Sequence, residues 1–265
     1  MGTVYDFYEQ QFEEVTRFTH NPLEFIRSKE IIKRYLRKPC LTIADIAGAT
    51  GPYSYWLAEQ GHTVHLLDLS DKHLEQAKAY GKKNGLELSS FTRSDARHLP
   101  YEDNMFDITL NMGPLYHLQD SGDRLQCIAE CYRVLKVGGT AIFAYISRFA
   151  SLIDGYRYNF VDDAEFQKII KTDLLTGKHE NPKNIPNYFT TSFFHTPNLI
   201  IEELGQCNFQ DIKVLPVEGF ASCIDATDIM KNSSKRELLL EHLRLTEDAA
   251  ELLGISSHIL AVCGK

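Results

Sequence analysis

The chain is poor in the features that mark several large classes of protein. It has no Cys-x-x-Cys pair: its six cysteines stand at 40, 127, 131, 207, 223 and 263. Cys127 and Cys131 share one helix face in QCIAECYRVL, but no further thiol or imidazole nearby completes a ligand set, so they read as buried core thiols. The histidines show no i, i+4 pairing, and no metal is expected. No apolar run reaches bilayer length, and no basic start leads into an apolar stretch, so neither a membrane span nor a signal peptide is expected and the protein should be cytoplasmic. Positive charge is also scarce. A net charge of −8 disfavours a nucleic acid as partner, and the longest basic cluster, Lys33-Arg34 with Arg37-Lys38, has the spacing of a solvated helix face.

What is present is alternation. With 265 residues, 43% of them hydrophobic, the chain has material for one large domain or a domain with an insertion. TVYDFYEQQFEEVTRF and PLEFIRSKEIIKRYLR read as amphipathic helices separated by the turn His20-Asn21-Pro22. Strand-like LTIADIA, TVHLLDL, LSSFTRSD, MFDITLNM and TAIFAYIS then alternate with helical PYSYWLAEQG, DKHLEQAKAYGKKNG and SGDRLQCIAECYRVLK. Helix PNLIIEELGQCN, strand FQDIKVLPVEG, two helical stretches over 224–251 and strand SHILAVCG complete the pattern. It predicts an α/β fold: a Rossmann-like, doubly wound, mostly parallel seven-stranded sheet. The stretch 148–195 is rich in aromatic and turn residues, with one helix expected near 162–174, and reads as an insertion after the fifth strand. The expected organisation is a helical cap over 1–38, the sheet domain over 39–147 and 196–265, and a substrate lid over 148–195.

The first strand runs into Gly48-Ala49-Thr50-Gly51 and the second ends on Asp68, the outline of a nucleotide-binding βαβ unit. The dinucleotide fingerprint Gly-x-Gly-x-x-Gly is absent. The looser spacing of short-chain dehydrogenases fails at Ser54, and no Tyr-x-x-x-Lys couple follows. Asp45, inside the first strand's end, would repel a pyrophosphate. A ligand with positive charge and no phosphate fits better. S-adenosylmethionine is such a molecule, and from this point the chain resembles the class I S-adenosylmethionine-dependent methyltransferases over nearly its whole length.

That family opens its site with Asp-x-Gly-x-Gly-x-Gly, and this chain has Asp45-Ile46-Ala47-Gly48-Ala49-Thr50-Gly51. The alanines leave the backbone approach possible provided that they keep negative φ. The resemblance implies that Ala47, Gly48, Ala49 and Gly51 wrap the cofactor. It gives Asp68 the ribose hydroxyls, Leu69 the adenine face, and Asp95-Ala96 the adenine amino group. YEDNMFDITLNMGPLYHLQD resembles the fourth-strand signature, with Asn111 facing the methionine part, and ECYRVLKVGGTAIFAYIS resembles the helix, Gly-Gly turn and fifth strand. GTVYDFYEQQFEEV resembles the helical opening of small-metabolite enzymes, which would let Tyr5, Tyr8 and Arg27 reach the cofactor's carboxylate or the acceptor.

Methyl transfer from a sulfonium needs alignment and exclusion of water, and a base only where the acceptor loses a proton. His117 and Tyr116, just past the fourth strand, are the candidates for base and wall. Acceptor contacts are expected from Arg148, Tyr156 and His195 of the insertion, with the space between the N-terminal helices and His117 as the alternative place. The expected activity is methyl transfer to a small molecule. Transfer to RNA or protein, or a non-catalytic S-adenosylmethionine-binding subunit, are the alternatives. Neither the methylated atom nor the oligomeric state follows from the residues.

Overall fold

The computed structural model describes residues 22–183, 185 and 188–265. The expected first helix, with Tyr5 and Tyr8, therefore lies outside the described residues. Helix α1 (Pro22–Lys33) leads into β1 (Thr42–Ile46), α2 (Pro52–Glu59), β2 (Thr63–Asp68), α3 (Asp71–Asn84), β3 (Ser90–Arg93) and β4 (Phe106–Asn111). A 3-10 turn (Pro114–His117), α4 (Ser121–Val134) and the long strand β5 (Leu135–Ile146) follow. The second half holds α5 (Ala150–Arg157), α6 (Ala164–Thr176), the short strands β6 (Lys178–His179) and β7 (Ser192–Phe193), α7 (Pro197–Gln206) and β8 (Gln210–Pro216). Helices α8 (Thr227–Lys231), α9 (Ser233–Thr246) and α10 (Ala250–Leu253) precede the last strand, β9 (His258–Gly264).

Seven strands form one sheet in the order β3-β2-β1-β4-β5-β9-β8. The strands β1 to β5 are parallel, and β9 runs antiparallel to both β5 and β8. Chain order reverses between β1 and β4, so the ligand crevice of such a sheet opens there, at the strands' C-terminal ends. Helices cover both faces. Ala44, Ile46, Phe106 and Phe143 pack with Cys127, Cys131 and Leu204 on one side. Ile43, Val64, Ile108, Leu110 and Leu260 pack with Ile31 and Leu57 on the other. Parallel strands buried on both faces account for the continuous apolar runs in the sequence. Cys127 and Cys131 are buried free thiols on the first of these faces.

The insertion holds one more helix than the sequence pattern predicts. Helix α5 is short and contains Gly155, which would ordinarily argue against it. A Cβ at Gly155 would lie 2.8 Å from Ile170 Cδ1 and 3.2 Å from a Phe166 ring carbon, so the glycine lets α5 lie directly against α6. Phe166, Ile169, Ile170 and Tyr188, with Phe160 against them, make a small core of their own. The C-terminal region likewise breaks into three helices where two were expected.

Candidate active site

A cavity of about 410 Å³ opens at the C-terminal edge of the parallel strands. One half is formed by loops that follow β1, β2, β3 and β4: Ala47–Ala49, Asp68–Ser70, Ser94–Arg97 and Met112–Pro114. The other half is walled by Glu24 and Ser28 of α1, Tyr116, His117, Ala144, Thr191, Val217, His258 and Leu260.

The loop after β1 is packed to its limit. A Cβ at Gly48 would fall 2.5 Å from both Asp45 Cγ and Leu66 Cδ1, so only glycine fits. The Gly48 N–H donates to Leu67 O at 3.1 Å, and the Gly51 N–H returns to Gly48 O at 2.9 Å. Gly51 has φ +79° and caps α2. Ala47 and Ala49 do not keep negative φ: they lie at +55° and +50°, in the left-handed region. That conformation costs an alanine roughly 1 kcal/mol relative to glycine. The Asp68 carboxylate offsets part of this at Ala49, whose N–H donates to Asp68 Oδ2 at 2.9 Å.

Asp68 also accepts from the Ser70 N–H at 2.9 Å and lies 3.2 Å from His73 Nδ1, and it lines the cavity at 7% exposure. It holds two loops as well as facing the site. Asp45 lies behind the loop, fully buried, accepting from Ser54 Oγ at 2.6 Å. Burial, opposed by the Ser54 bond and assisted by the nearby Asp68 charge, pushes its carboxyl up to about 6. Its second oxygen has no partner among the described residues.

Asp95 and Ala96 line the cavity, but the Asp95 carboxylate is bidentate with Arg97, at 3.0 and 2.6 Å. Burial would raise that carboxyl, yet Arg97 outweighs it and holds Asp95 below the usual carboxylate range. Arg97 spans to Asp123 at 2.8 Å as well. Among the described residues it is the only Lys or Arg at the cavity, against carboxylates of Glu24, Asp68, Asp95, Asp120 and Asp123. This excess of negative charge repels phosphates and suits a cationic nucleoside. With a glycine cradle, an acid at the end of β2 and exposed Leu69 beside it, the residues fit S-adenosylmethionine.

Several expected contacts are elsewhere. Asn111 is fully buried on the face of β4 opposite Ile108 and Leu110, donating to Cys127 Sγ at 3.3 Å and Cys131 Sγ at 3.5 Å. Strand alternation turns it toward α4, away from the cavity. Arg27 is also fully buried, held by Glu30 at 2.5 Å and Glu247 at 2.7 Å, so it braces α1 and does not line the cavity.

Arg148, Tyr156 and His195 do not line the cavity. Arg148 Nε donates to Phe194 O at 3.4 Å, Tyr156 is 71% exposed on α5, and His195 is fully buried 3.3 Å from Glu203 Oε2. Burial, opposed by the Glu203 bond, pulls the His195 imidazole down. Of the described residues in 148–195, only Thr191 lines the cavity, because the aromatic rings pack on one another. His117 and Tyr116 do line it. The His117 ring stacks on Phe189 at 5.8 Å, and Tyr116 Oη donates to Met112 O at 3.3 Å.

The sequence pattern missed Glu24, Ser28, His73, Val217 and His258. Each is a single residue with no motif around it. His258 reaches the cavity because the last strand runs antiparallel to β5, which pairs it with Ile146 at the end of β5.

Residues 44–143 match the family model described as a methyltransferase domain. A ubiquinone/menaquinone biosynthesis C-methyltransferase of Bartonella quintana is 31% identical over 122 residues, covering 42% of this chain and 44% of that protein. A methyltransferase of Streptomyces halstedii is 36% identical over 106 residues, covering 39% of this chain and 37% of its own. The chain thus spans less than half the length of these curated relatives. A solved S-adenosylmethionine-dependent methyltransferase of Methanosarcina mazei superposes with a TM-score of 0.60 at 18% identity, over 89% of this chain and 96% of that one. One of Mesorhizobium loti gives 0.60 at 17% identity, over 92% and 100%. Motif loops, sheet order and these likenesses agree: residues 44–143 match a methyltransferase domain, in a chain with the fold of the class I S-adenosylmethionine-dependent methyltransferases.

Proposed function

We propose that the protein transfers a methyl group from S-adenosylmethionine to a small-molecule acceptor enclosed beside it. The observation that carries this reading is the continuity of the cavity, which runs from the Ala47–Ala49 loop and Asp68 to a separate wall of His117, Thr191, Val217, His258 and Leu260. A donor site and an acceptor site in one enclosure are what in-line transfer requires.

The backbone of Ala47–Ala49, the carboxylate of Asp68 and the faces of Leu69 and Ala96 would hold the cofactor. When bound, it supplies an electrophilic methyl on a sulfonium, with an excellent leaving group. The chain's own contribution is placement and dryness: at the junction of the two halves Tyr116 meets His117 edge-on and His117 stacks on Phe189, a wall of rings that would limit water there. Thr191 brings the insertion to the cavity as part of its wall, and Gln119 ties that segment to the loop after β4 by donating to His179 O and Ser192 O at 3.2 and 3.0 Å.

The small enclosure and its negative lining favour a metabolite over RNA or a protein side chain. No helix among the described residues is long and apolar enough to cross a membrane. The family model ends at 143, whereas Glu24, Thr191, Val217, His258 and Leu260 of the acceptor wall lie outside it. The relatives' named quinone chemistry therefore enters as one arm of an acceptor screen. Incubation with methyl-labelled S-adenosylmethionine and fractionated metabolite extract, alongside reduced quinones, should give S-adenosylhomocysteine and a labelled small product. If S-adenosylhomocysteine binds but no fraction ever takes label, the protein is a cofactor-binding subunit instead.

A further inference from the structure

The acceptor half is mostly apolar, walled by Tyr116, Ala144, Val217 and Leu260, but it ends on a polar group of three. Carboxylate oxygens of Glu24 and Glu218 and a ring nitrogen of His258 lie within 4.8 Å of one another. They come from α1, from the turn after β8 and from the start of β9. Glu24 and His258 line the cavity, while Glu218 stands behind them at 4% exposure.

Glu218 is held firmly. Its Oε2 accepts from the His258 N–H at 3.0 Å, and its Oε1 lies 2.6 Å from His258 Nδ1. Ser256 Oγ, 3.3 Å from Oε2, donates its proton to His258 O at 2.6 Å. Ser256 Oγ in turn accepts the N–H groups of Val217, Glu218 and Gly219 at 3.0–3.1 Å. Burial pushes the Glu218 carboxyl up, but His258 outweighs it and keeps the group below its ordinary range. An ionised carboxylate at Nδ1 fixes the neutral ring as the Nδ1–H tautomer, which puts the basic lone pair on Nε2. Asp154 of α5 feels His258 and Glu218 with opposite signs, and burial raises it toward its neutral form.

The geometry points to Glu24 and His258 as the polar end of the acceptor site, with Glu218 as the positioning residue that presents His258 as a proton acceptor. The ligand class follows: a small molecule with an apolar body and one O–H or N–H donor, which Glu24 and His258 accept. This rests on the methyl-transfer reading above. As the acceptor's heteroatom bonds to the methyl carbon, the carbon–sulfur bond breaks with its electron pair left on sulfur. The heteroatom's proton goes to His258 Nε2, and the resulting imidazolium is stabilised by Glu218. His258 then stands as base, and His117 as junction wall.

The test uses the full chain loaded with S-adenosylhomocysteine and three probes of one size: p-cresol, benzylamine and toluene. Ligand-observed NMR should show p-cresol or benzylamine binding at least tenfold more tightly than toluene. That preference should be lost in Glu24→Gln and His258→Asn, while calorimetry gives S-adenosylhomocysteine affinities within twofold of wild type. Whichever donor probe leads names the class as hydroxyl or amine. Nitrogen-15 shifts should place the neutral His258 proton on Nδ1 in wild type, and Glu218→Gln should mix the tautomers. Equal or undetectable binding of the three probes, an unchanged preference in both variants, or a proton on Nε2 would each overturn the inference. So would donor-probe binding abolished by EDTA and restored by Mn²⁺, which would make the cluster a metal site. If S-adenosylhomocysteine itself fails to bind, the methyl-transfer reading falls, and this one with it.

Discussion

The two halves of the cavity are built in opposite ways. The cofactor half uses short loops, each directly after its own parallel strand, so its residues cluster along the chain at 47–49, 68–70, 94–97 and 112–114. The acceptor half collects lone side chains from positions as far apart as Glu24, Thr191 and His258. The first arrangement fixes the backbone and tolerates little change; the second fixes only side chains on elements that the core holds in place. A ligand common to many proteins suits the former, and a ligand peculiar to one suits the latter.

Substitutions can break this contrast. The largest effect is expected at Gly48→Ala, where the new Cβ meets Asp45 and Leu66 at 2.5 Å. Overpacking of this kind costs about 1–3 kcal/mol, and calorimetry should find S-adenosylhomocysteine affinity reduced at least about a hundredfold because the loop itself is displaced. Retained affinity would show that the loop does not cradle the cofactor. Asp68→Asn should weaken the same affinity about tenfold or more, since bonds to a charged acceptor are worth about 1.5–3 kcal/mol. Asp68→Ala should do worse, because the Ala49 and Ser70 N–H groups also lose their acceptor.

Asp45 sharpens the comparison through pH. Its carboxyl is raised to about 6 in the folded chain from an ordinary value of 3.8, so its stabilising contribution is fully present below pH 4 and is lost as pH rises toward 6. Denaturant titrations without ligand should show Asp45→Asn gaining on wild type between pH 4 and 7, by on the order of 2–3 kcal/mol. A pH-independent difference would mean that Asp45 is ionised at no such cost. The smallest effect is expected from Tyr156→Ala. That ring is 71% exposed and away from both halves, so stability should stay within about 0.5 kcal/mol and turnover should not change.

The same contrast decides what can be read from residues alone. Asp45, Gly48, Gly51 and Asp68 stand in a spacing set by backbone geometry, and the loops they form lie where a βαβ unit must put them. The left-handed φ of Ala47 and Ala49 escaped because alanine only rarely adopts it. Asn111 was legible in principle, since its parity with Thr109 sends it to the α4 face. The insertion was not, because rings that wall a ligand and rings that fill a satellite core have the same composition. His258 depended on the direction of β9, which a seven-residue apolar run does not reveal.

Arg27 ties α1 to a segment more than two hundred residues away: it bonds Glu247, Arg34 bonds Glu247 at 2.6 Å, and Arg244 bonds Glu30 at 2.6 Å. Glu24 rides on that helix, so a segment remote from the cavity sets the pose of a cavity wall. For recombination, positions 27–34 and 244–247 form one inherited block. A chimera that takes its last quarter from a relative without these acids and bases strands a buried guanidinium, while crossover points that keep both segments from one parent leave the block whole. Joining parents at 143, where the family model ends, therefore separates the two ends of the clamp even though it leaves the matched stretch 44–143 intact.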